Sequence, residues 1–539
     1  MNLIVQASPW ANVPVTEHLA LFAPMIALIC TMLAIVAWPL VFTRSPRAIA
    51  GVSFLGVAVA FVLALRLAGV AEESAASGLS TQPAAGLLIV DGLSAFFQVI
   101  LLAFLGGIMW LWWMGSAAQE RNAPEFFILL IGSALGMALM VSSTNLLMIA
   151  IAIETASLPS YAIVGFDKRD KLAAEASLKY MIFGAVCAAI MLYGASLLYG
   201  LVGSLSAVDL AHYTFAQLAV GENRLLLGLG LFCFLAGIAF KISAVPFHFW
   251  CPDAFEGARI EVTTWLSVAS KAAGLVLLAR LVTVFCAAVD VPLSTNFIEP
   301  LAWTIGIMAA VTCTVGNFSA YRQRSVKRLL AYSSIAHAGY MMMAAAVFIH
   351  PRVEGHAAGL TALLAYIVIY LFMNLGAFSV TAMIVWSRGT DDINAFTGLM
   401  RRAPELAIPM VICLVSLVGL PPLAGFIGKW WVLVALGSLG STLGWFLIIV
   451  AVVNTLISLY YYMRIVVQMT LRDDGQETLH GPLAGVVLVN VCALALLVLF
   501  VFAHPLKTTA DRFSNTFSPA YAAPAGMGDS VAAGGRALE

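Results

Sequence analysis

Charged residues are scarce in this chain of 539 residues: Lys, Arg, Asp and Glu together make up 10% of it, whereas 62% is hydrophobic. Soluble globular proteins carry about 25% charged residues. A chain with so little charge lacks the polar surface that a water-soluble globule needs, so the composition predicts a polytopic protein of the lipid bilayer. The net charge is zero and no long basic tract occurs, which argues against nucleic acid as a partner.

Motifs that hold cofactors are also missing. The sequence contains no GxGxxG, no GxxxxGK[ST], no CxxC and no HExxH, which are the patterns of dinucleotide, nucleotide, thiol-metal and zinc sites. Its eight cysteines are scattered through apolar segments, and we interpret them as small packing residues. We therefore expect no metal and no cofactor in this chain.

Long apolar runs are abundant instead. A helix needs about 20 apolar residues to cross the hydrocarbon core, and the sequence offers fourteen such runs. The predicted spans are 19–42, 48–70, 94–115, 125–142, 145–164, 178–201, 225–250, 262–287, 301–320, 329–349, 358–386, 405–438, 443–468 and 482–503.

The distribution of Lys and Arg predicts the orientation of these spans. The odd-numbered loops hold sixteen basic residues and the even-numbered loops hold four, when Arg66, Arg280 and Arg464, which lie in the second half of predicted spans, are counted with the loops that follow. Cytoplasmic loops carry the excess of positive charge. We therefore expect the odd loops in the cytoplasm and both termini on the periplasmic side.

Four lysines lie inside the apolar runs, where a charged side chain at the bilayer centre costs ~2.5–3.5 kcal/mol. Glu154 shares that setting and is the only carboxylate in the middle of a predicted span. Ionisable groups at membrane depth usually mark an ion or proton path. Since a nearby carboxylate favours a charged lysine and desolvation disfavours it, Glu154 is the natural partner of one of them. The lysines are Lys179, Lys241, Lys271 and Lys429.

Two predicted spans carry proline next to a lysine. Pro246 follows Lys241, and Pro421 and Pro422 precede Lys429. Proline frees backbone carbonyls in the preceding turn, and a bilayer tolerates this only where the freed groups are buried in protein or line a wet cavity. Paired interruptions in the seventh and twelfth spans predict an internal repeat with binding at mid-membrane.

Two histidines, His248 and His337, also lie within spans or at their ends. Histidine titrates near neutral pH, which suits a proton relay. A lone membrane histidine is more often a hydrogen-bonded packing residue, so both roles stay open for each of them.

Three long segments resemble the signatures of antiporter-like subunits in the membrane arm of respiratory complex I. They lie at residues 240–258, 326–340 and 419–429. Two further segments, Ser-Leu-Pro-Ser-Tyr at 157–161 and Glu-Ala-Ser-Leu-Lys-Tyr at 175–180, are most similar to subunit N of NADH-quinone oxidoreductase, the counterpart of mitochondrial subunit 2.

The resemblance implies an all-α polytopic membrane fold of about fourteen transmembrane helices. It also implies two inverted five-helix repeats with broken helices in spans 7 and 12. We expect the following boundaries: helices 1–3 in residues 1–124, a first repeat (helices 4–8) in 125–287, a second repeat (helices 9–13) in 299–468, helix 14 in 482–503 and a flexible tail in 505–539.

The resemblance further implies a proton relay. In it Glu154 controls the protonation of Lys179, protons pass along Lys241 and Lys271, and Lys429 hands them toward the outer side. The chain would act as a proton-translocating subunit in a bacterial inner membrane, next to the other membrane-arm subunits. NADH, FMN, iron–sulfur clusters and quinone would belong to partner subunits.

Two other functions stay open. A Mrp-type cation/proton antiporter subunit would use the same lysines for Na⁺ exchange. A non-pumping scaffold subunit of a related complex would keep the charges without using them.

One segment departs from the family pattern. Where the family usually has Pro-Thr-Pro-Val-Thr, residues 259–263 are Arg-Ile-Glu-Val-Thr. We expect Arg259 and Glu261 to form a local salt bridge at the cytoplasmic surface; a changed route of proton uptake is the alternative.

Overall fold

A computed structural model describes residues 19–42, 45–76, 87–115, 122–220, 223–287, 295–348, 356–472 and 481–515. Within these ranges the chain is helical, with a few isolated β-bridges and no strand. Helices suit this composition because each backbone N–H and C=O in hydrocarbon must find its partner inside the same segment. The prediction of an all-α protein is confirmed.

Twelve helices of the described ranges are long and apolar enough to cross a membrane. The first six long helices are α1 (Ala23–Val41), α2 (Pro46–Ala76), α3 (Gly92–Gly115), α4 (Ala123–Ser142), α5 (Leu146–Val164) and α6 (Lys171–Val202). The middle of the chain forms α7 (Ala207–Val220), α8 (Arg224–Ile242), α9 (Trp250–Gly257), α10 (Ile260–Trp265), α11 (Lys271–Ala287), α12 (Thr295–Ala320) and α13 (Val326–Phe348). The last third forms α14 (His356–Arg388), α15 (Leu399–Arg402), α16 (Pro404–Val418), α17 (Ala424–Ser438), α18 (Thr442–Thr470), α19 (Leu483–Val501) and α20 (Ala503–Asn515).

The seventh predicted span is broken, as the proline indicated. Helix α8 ends at Ile242, Ser243 adopts a left-handed conformation with φ 64°, and the Val245–Pro246 peptide is cis. Helix α9 then begins at Trp250, where the sequence predicted the span to end. The break therefore adds a short helix that extends past the predicted boundary.

The twelfth predicted span is broken as well. Helix α16 ends before Gly419, whose φ is 84°, and α17 begins after the cis Pro421–Pro422 peptide. The Ser416 hydroxyl accepts a hydrogen bond from the Gly425 N–H at 3.0 Å, which ties the two halves together across the break.

The eighth predicted span contains an irregularity that the sequence did not predict. Residues Leu266–Ser270 form a π-helical turn between α10 and α11, directly before Lys271. A π turn displaces the hydrogen-bond ladder and frequently occurs at functional sites. Proline does not cause it, so no local sequence signal announced it.

Helix α13 lies between the two broken spans. It packs against α9 and α11 of the first predicted repeat and against α12, α14 and α17 of the second. The side chains of α13 are consequently placed to connect groups near the first break with groups near the second.

The predicted flexible tail is partly wrong. Residues Ala503–Asn515 form helix α20, in which Ala510 and Phe513 are buried and the Phe513 ring lies 4.9 Å from that of Phe96. Thr361 also donates a hydrogen bond to Asp511 at 2.7 Å. The overall polar composition of this segment concealed the few apolar residues that pack against the protein. Residues 516–539 lie outside the described ranges.

Candidate functional site

Lys241 occupies the last turn of α8 and is fully buried. Its Nζ donates a hydrogen bond to the Ser157 hydroxyl of α5 at 3.1 Å. Glu154 precedes Ser157 by one helical turn and shares its face of α5. Lys241 and Glu154 also interact electrostatically. The structure therefore brings the predicted carboxylate toward Lys241.

Lys179 is not paired with Glu154, which corrects the pairing predicted from the resemblance. Its Nζ lies 2.7 Å from Glu175 Oε1, one turn earlier on α6, and 3.0 Å from Asp253 Oδ2. The side chain of Lys179 is 43% exposed on the protein surface. The physical reason is the broken span, which folds α9 back against α6 and supplies a carboxylate from another helix.

Asp253 is a candidate site residue that the sequence analysis missed. It lies three residues beyond the predicted end of the seventh span and was therefore assigned to a loop. Its second oxygen, Oδ1, lies 3.0 Å from Arg328 Nη1 of α13. Asp253 thus contacts one cation from each predicted repeat.

Glu154 itself is half-buried and lies in a groove on the surface of the helix bundle. It lines a groove of about 370 Å³ between α5 and α6 whose other walls are almost entirely apolar. Ile151 and Leu158, its neighbours on α5, are exposed. The carboxylate is therefore accessible from the side of the protein that faces lipid or a neighbouring subunit.

Lys271 is fully buried at the first position of α11, directly after the π turn. Its Nζ donates a hydrogen bond to Cys251 Sγ of α9 at 3.3 Å and lies 4.8 Å from the centre of the Phe255 ring. An aromatic face attracts a cation electrostatically. The interpretation of Cys251 as a mere packing residue is wrong, because its thiol is the polar partner of the lysine.

His337 lies on α13 between the two breaks and is buried. Its Nδ1 is 2.9 Å from the Tyr366 hydroxyl and its Nε2 is 3.3 Å from the Tyr462 hydroxyl. The ring of Tyr370 lies 5.1 Å from the imidazole, and the Tyr370 hydroxyl donates to the Ser267 carbonyl of the π turn at 3.3 Å. Tyrosine hydroxyls therefore surround His337 and connect its surroundings to the segment before Lys271.

Lys429 lies on α17, just after the second break, and is buried. Its Nζ donates to the Val418 carbonyl at 2.8 Å and to the Thr455 hydroxyl at 3.5 Å, and it lies 4.3 Å from the centre of the Tyr340 ring. The Val418 carbonyl is free for this role because the helix ends there. The broken helix thus solvates the ammonium with backbone oxygen, as the prolines predicted.

His248 is not brought into this set of contacts. It lies in the break between α8 and α9, its Nδ1 has no hydrogen-bond partner within the described part of the chain, and its ring packs on Phe249 at 4.4 Å. Of the two histidines, His337 is the one that contacts other polar groups of the candidate path.

Arg280 was assigned wrongly from the sequence, and its partner Asp91 was missed. Arg280 was counted as an orienting loop residue, but it lies within α11 and is fully buried. It donates to both carboxylate oxygens of Asp91, at 2.9 and 2.7 Å. The four lysines are therefore not the whole set of buried basic residues, and Glu154 is not the only enclosed carboxylate.

Arg259 and Glu261 also differ from the prediction of a surface pair. Arg259 forms an ion pair with Asp167 and its guanidinium lies 5.0 Å from the centre of the Phe166 ring. Glu261 is only 2% exposed and lines a polar cavity of about 430 Å³ with Lys327. The substituted segment is folded into the protein because α10 begins there.

The chemical character of the site follows from its partners. Within the described part of the chain, Lys241, Lys271 and Lys429 form no ion pair: their hydrogen-bond acceptors are hydroxyl, thiol and carbonyl groups. Neutral acceptors tolerate both an ammonium donor and, after proton loss, a neutral amine. In the described ranges no group of three or more His, Cys, Asp or Glu side chains is arranged to hold a metal ion.

The comparisons with known proteins agree with this geometry. Residues 143–458 match the family model described as NADH:quinone oxidoreductase/Mrp antiporter, TM. NADH-quinone oxidoreductase subunit N 2 of Sorangium cellulosum is 40% identical over 89% of this chain and 93% of its own length. The chain belongs to the subunit N family. The resemblance predicted from the sequence is confirmed.

Solved structures show the same fold. A chain of respiratory complex I from Thermus thermophilus superimposes with a TM-score of 0.71 at 30% identity, covering 90% of this chain and 98% of that one. A chain of the Mrp complex from Dietzia sp. superimposes with a TM-score of 0.77, covering 94% and 99%, at 17% identity. The second likeness, at this low identity, concerns the fold alone.

Proposed function

We propose that this chain is a proton-translocating membrane subunit of an NADH-quinone oxidoreductase and that protons pass through its buried lysines. The observation that carries the proposal is the set of partners around Lys241, Lys271 and Lys429. Each amine is buried and hydrogen-bonded to neutral groups. Such an amine can accept a proton from one neighbour and release it to another, whereas a lysine locked in an ion pair holds its proton.

The path runs from the first break to the second. Lys241 lies beside Glu154 and Ser157, Lys271 follows the π turn, and His337 with its tyrosines lies between Lys271 and Lys429. Separations that no direct contact spans are bridged by water, which hydrogen-bonds almost as well as a direct partner. Lys429 then releases the proton toward the outer side.

The setting of the chain is part of the same proposal. It lies in a bacterial inner membrane with both termini on the periplasmic side, in contact with the other membrane-arm subunits. NADH, FMN, iron–sulfur clusters and quinone are carried by partner subunits, and quinone reduction there drives the movement of protons here. The predicted repeat boundaries at 125–287 and 299–468 describe the two halves of this path.

The test is redox-driven proton uptake by membrane vesicles that contain the assembled complex. Lys241→Ala is expected to lower uptake while assembly persists, and Lys168→Ala, a change at an exposed loop lysine, serves as the control. Wild-type uptake by assembled Lys241→Ala complex overturns the proposal and favours the scaffold role.

A Mrp-type antiporter subunit is the second candidate, because the matching family model includes Mrp antiporters. It requires Na⁺-dependent transport without quinone-linked activity. The same vesicles distinguish the two: uptake that requires NADH and quinone supports the first function, whereas Na⁺ exchange without redox turnover supports the second.

A further inference from the structure

A chain of ion pairs connects three helices beside the candidate path. Glu175 and Asp253 both contact Lys179 on α6, at 2.7 and 3.0 Å. The other oxygen of Asp253 lies 3.0 Å from Arg328 on α13, and Arg328 also pairs with Glu256. One oxygen of Asp253 thus contacts a lysine of the first predicted repeat, and the other contacts an arginine of the second.

Helix α9 holds Asp253 in a fixed place. Lys327 of α13 donates hydrogen bonds to the main-chain carbonyls of Glu256 and Ala258, at 2.6 and 3.1 Å. A cation at the C-terminal carbonyls of a helix is favourable because of their partial negative charge. The same short helix presents Cys251 to Lys271. The position of α9 therefore determines the polar contacts of two lysines, Lys179 and Lys271.

Lys179, in contrast, is partly exposed and is held by its carboxylate partners. Its ammonium is carried on a flexible four-carbon stem, is 43% exposed, and has carboxylates on two helices within reach. Of these two carboxylates, Asp253 is the one that also contacts α13, through Arg328.

We propose that Asp253 is a positioning residue that holds the Lys179 ammonium and Arg328 of α13 on its two carboxylate oxygens. Through Arg328 this contact reaches α13, which carries His337. This inference rests on the proposed function, because it assigns Asp253 a role in fixing a helix of the candidate proton path.

The test uses the assembled complex in membrane vesicles and compares Asp253→Asn with Glu175→Gln. Both changes remove a carboxylate from Lys179, but only Asp253 also contacts Arg328. Asp253→Asn is expected to lower redox-driven proton uptake roughly threefold, the effect of losing a partly exposed ion pair. Glu175→Gln is expected to change uptake less, and Asp253→Glu is expected to restore it.

A second readout reports the position of Lys179 directly. Acylation by an amine-reactive reagent, followed by mass spectrometry, should rise about threefold at Lys179 in Asp253→Asn, because an amine released from a carboxylate reacts faster. Lys168 is the internal control and should not change. A rise at both lysines indicates local unfolding and overturns the positioning role.

The two proposals fail in different ways. If Lys241→Ala abolishes uptake while Asp253→Asn leaves uptake and Lys179 acylation at wild-type levels, the role of Asp253 is wrong and the proton path stands. If Lys241→Ala itself retains wild-type uptake, the proposed function fails, and the role of Asp253 fails with it.

Discussion

Arg280 and Asp91 form a bidentate ion pair that joins the middle of α11 to the start of α3. Both terminal guanidinium nitrogens bind the carboxylate, and Arg280 Nε donates to the Val141 carbonyl of α4 at 2.5 Å. Asp91 also accepts the Ser94 N–H at 2.9 Å, as the cap of α3. One buried arginine thus fixes three helices, including the one that carries Lys271.

Replacing Arg280 by Met should destabilise the protein strongly. The change leaves Asp91 as a buried carboxylate without its guanidinium, and breaking such a pair costs ~3–5 kcal/mol. We expect lower amounts of the assembled complex in membranes and a lower thermal midpoint after extraction in detergent.

The double replacement Arg280→Met with Asp91→Leu provides the matched comparison. Replacing both members of a buried pair by apolar residues is often nearly neutral, although here the Ser94 cap is lost as well. Recovery of most of the lost stability is the expected result. A double variant as unstable as the single one shows that the pair is not the source of the effect.

Cys251 should be replaceable by Ser but not by Ala. The serine hydroxyl retains an acceptor for Lys271 Nζ, whereas alanine removes it, and a hydrogen bond to a charged group contributes ~1.5–3 kcal/mol. Cys251→Ala is therefore expected to lower proton uptake roughly tenfold, with Cys251→Ser close to wild type. Cys492→Ala, at another buried cysteine, controls for the loss of packing; equal losses in both alanine variants contradict a role for the thiol.

The lysines near the breaks were predictable because proline acts locally. Pro246 and Pro421 end the helical ladder in their own segments, and the carbonyl that solvates Lys429 lies only eleven residues away, at Val418. The helical pattern and the apolar runs are likewise local properties. For this reason the broken spans, and two of the lysines beside them, followed from the sequence alone.

The partners of Lys179 and Arg280 were not predictable, because they come from distant parts of the chain. Asp253 is 74 residues from Lys179, and Asp91 is 189 residues from Arg280. Only the direction in which α9 continues after the break decides that Asp253 meets α6. A count of charges along the sequence assigns such residues to loops. A single charged residue near the end of an apolar run gives the same pattern whether it is buried in a helix or exposed in a loop.

Removal of the Tyr366 hydroxyl should affect His337. Tyr366→Phe takes away the hydroxyl that lies 2.9 Å from Nδ1, and removing one partner of a buried hydrogen bond costs ~1–3 kcal/mol. We expect a roughly tenfold fall in redox-driven uptake from a loss of that size. Tyr199→Phe, the same change at an exposed tyrosine, should leave uptake unaltered; a wild-type rate in Tyr366→Phe removes His337 from the path.

Gly419→Ala should displace Lys429, and Gly389→Ala is its matched control. Both glycines have positive φ, 84° and 68°, so alanine introduces a comparable backbone strain of ~1–2 kcal/mol at each. A Cβ at Gly419 would lie 2.8 Å from Lys429 Cδ, whereas one at Gly389 meets nothing within 4 Å. The lysine stem is flexible and will move, which pulls Nζ away from the Val418 carbonyl.

Proton uptake should therefore fall in Gly419→Ala at unchanged assembly, while Gly389→Ala retains it. Equal effects of the two variants would trace the loss to backbone strain and not to the position of Lys429.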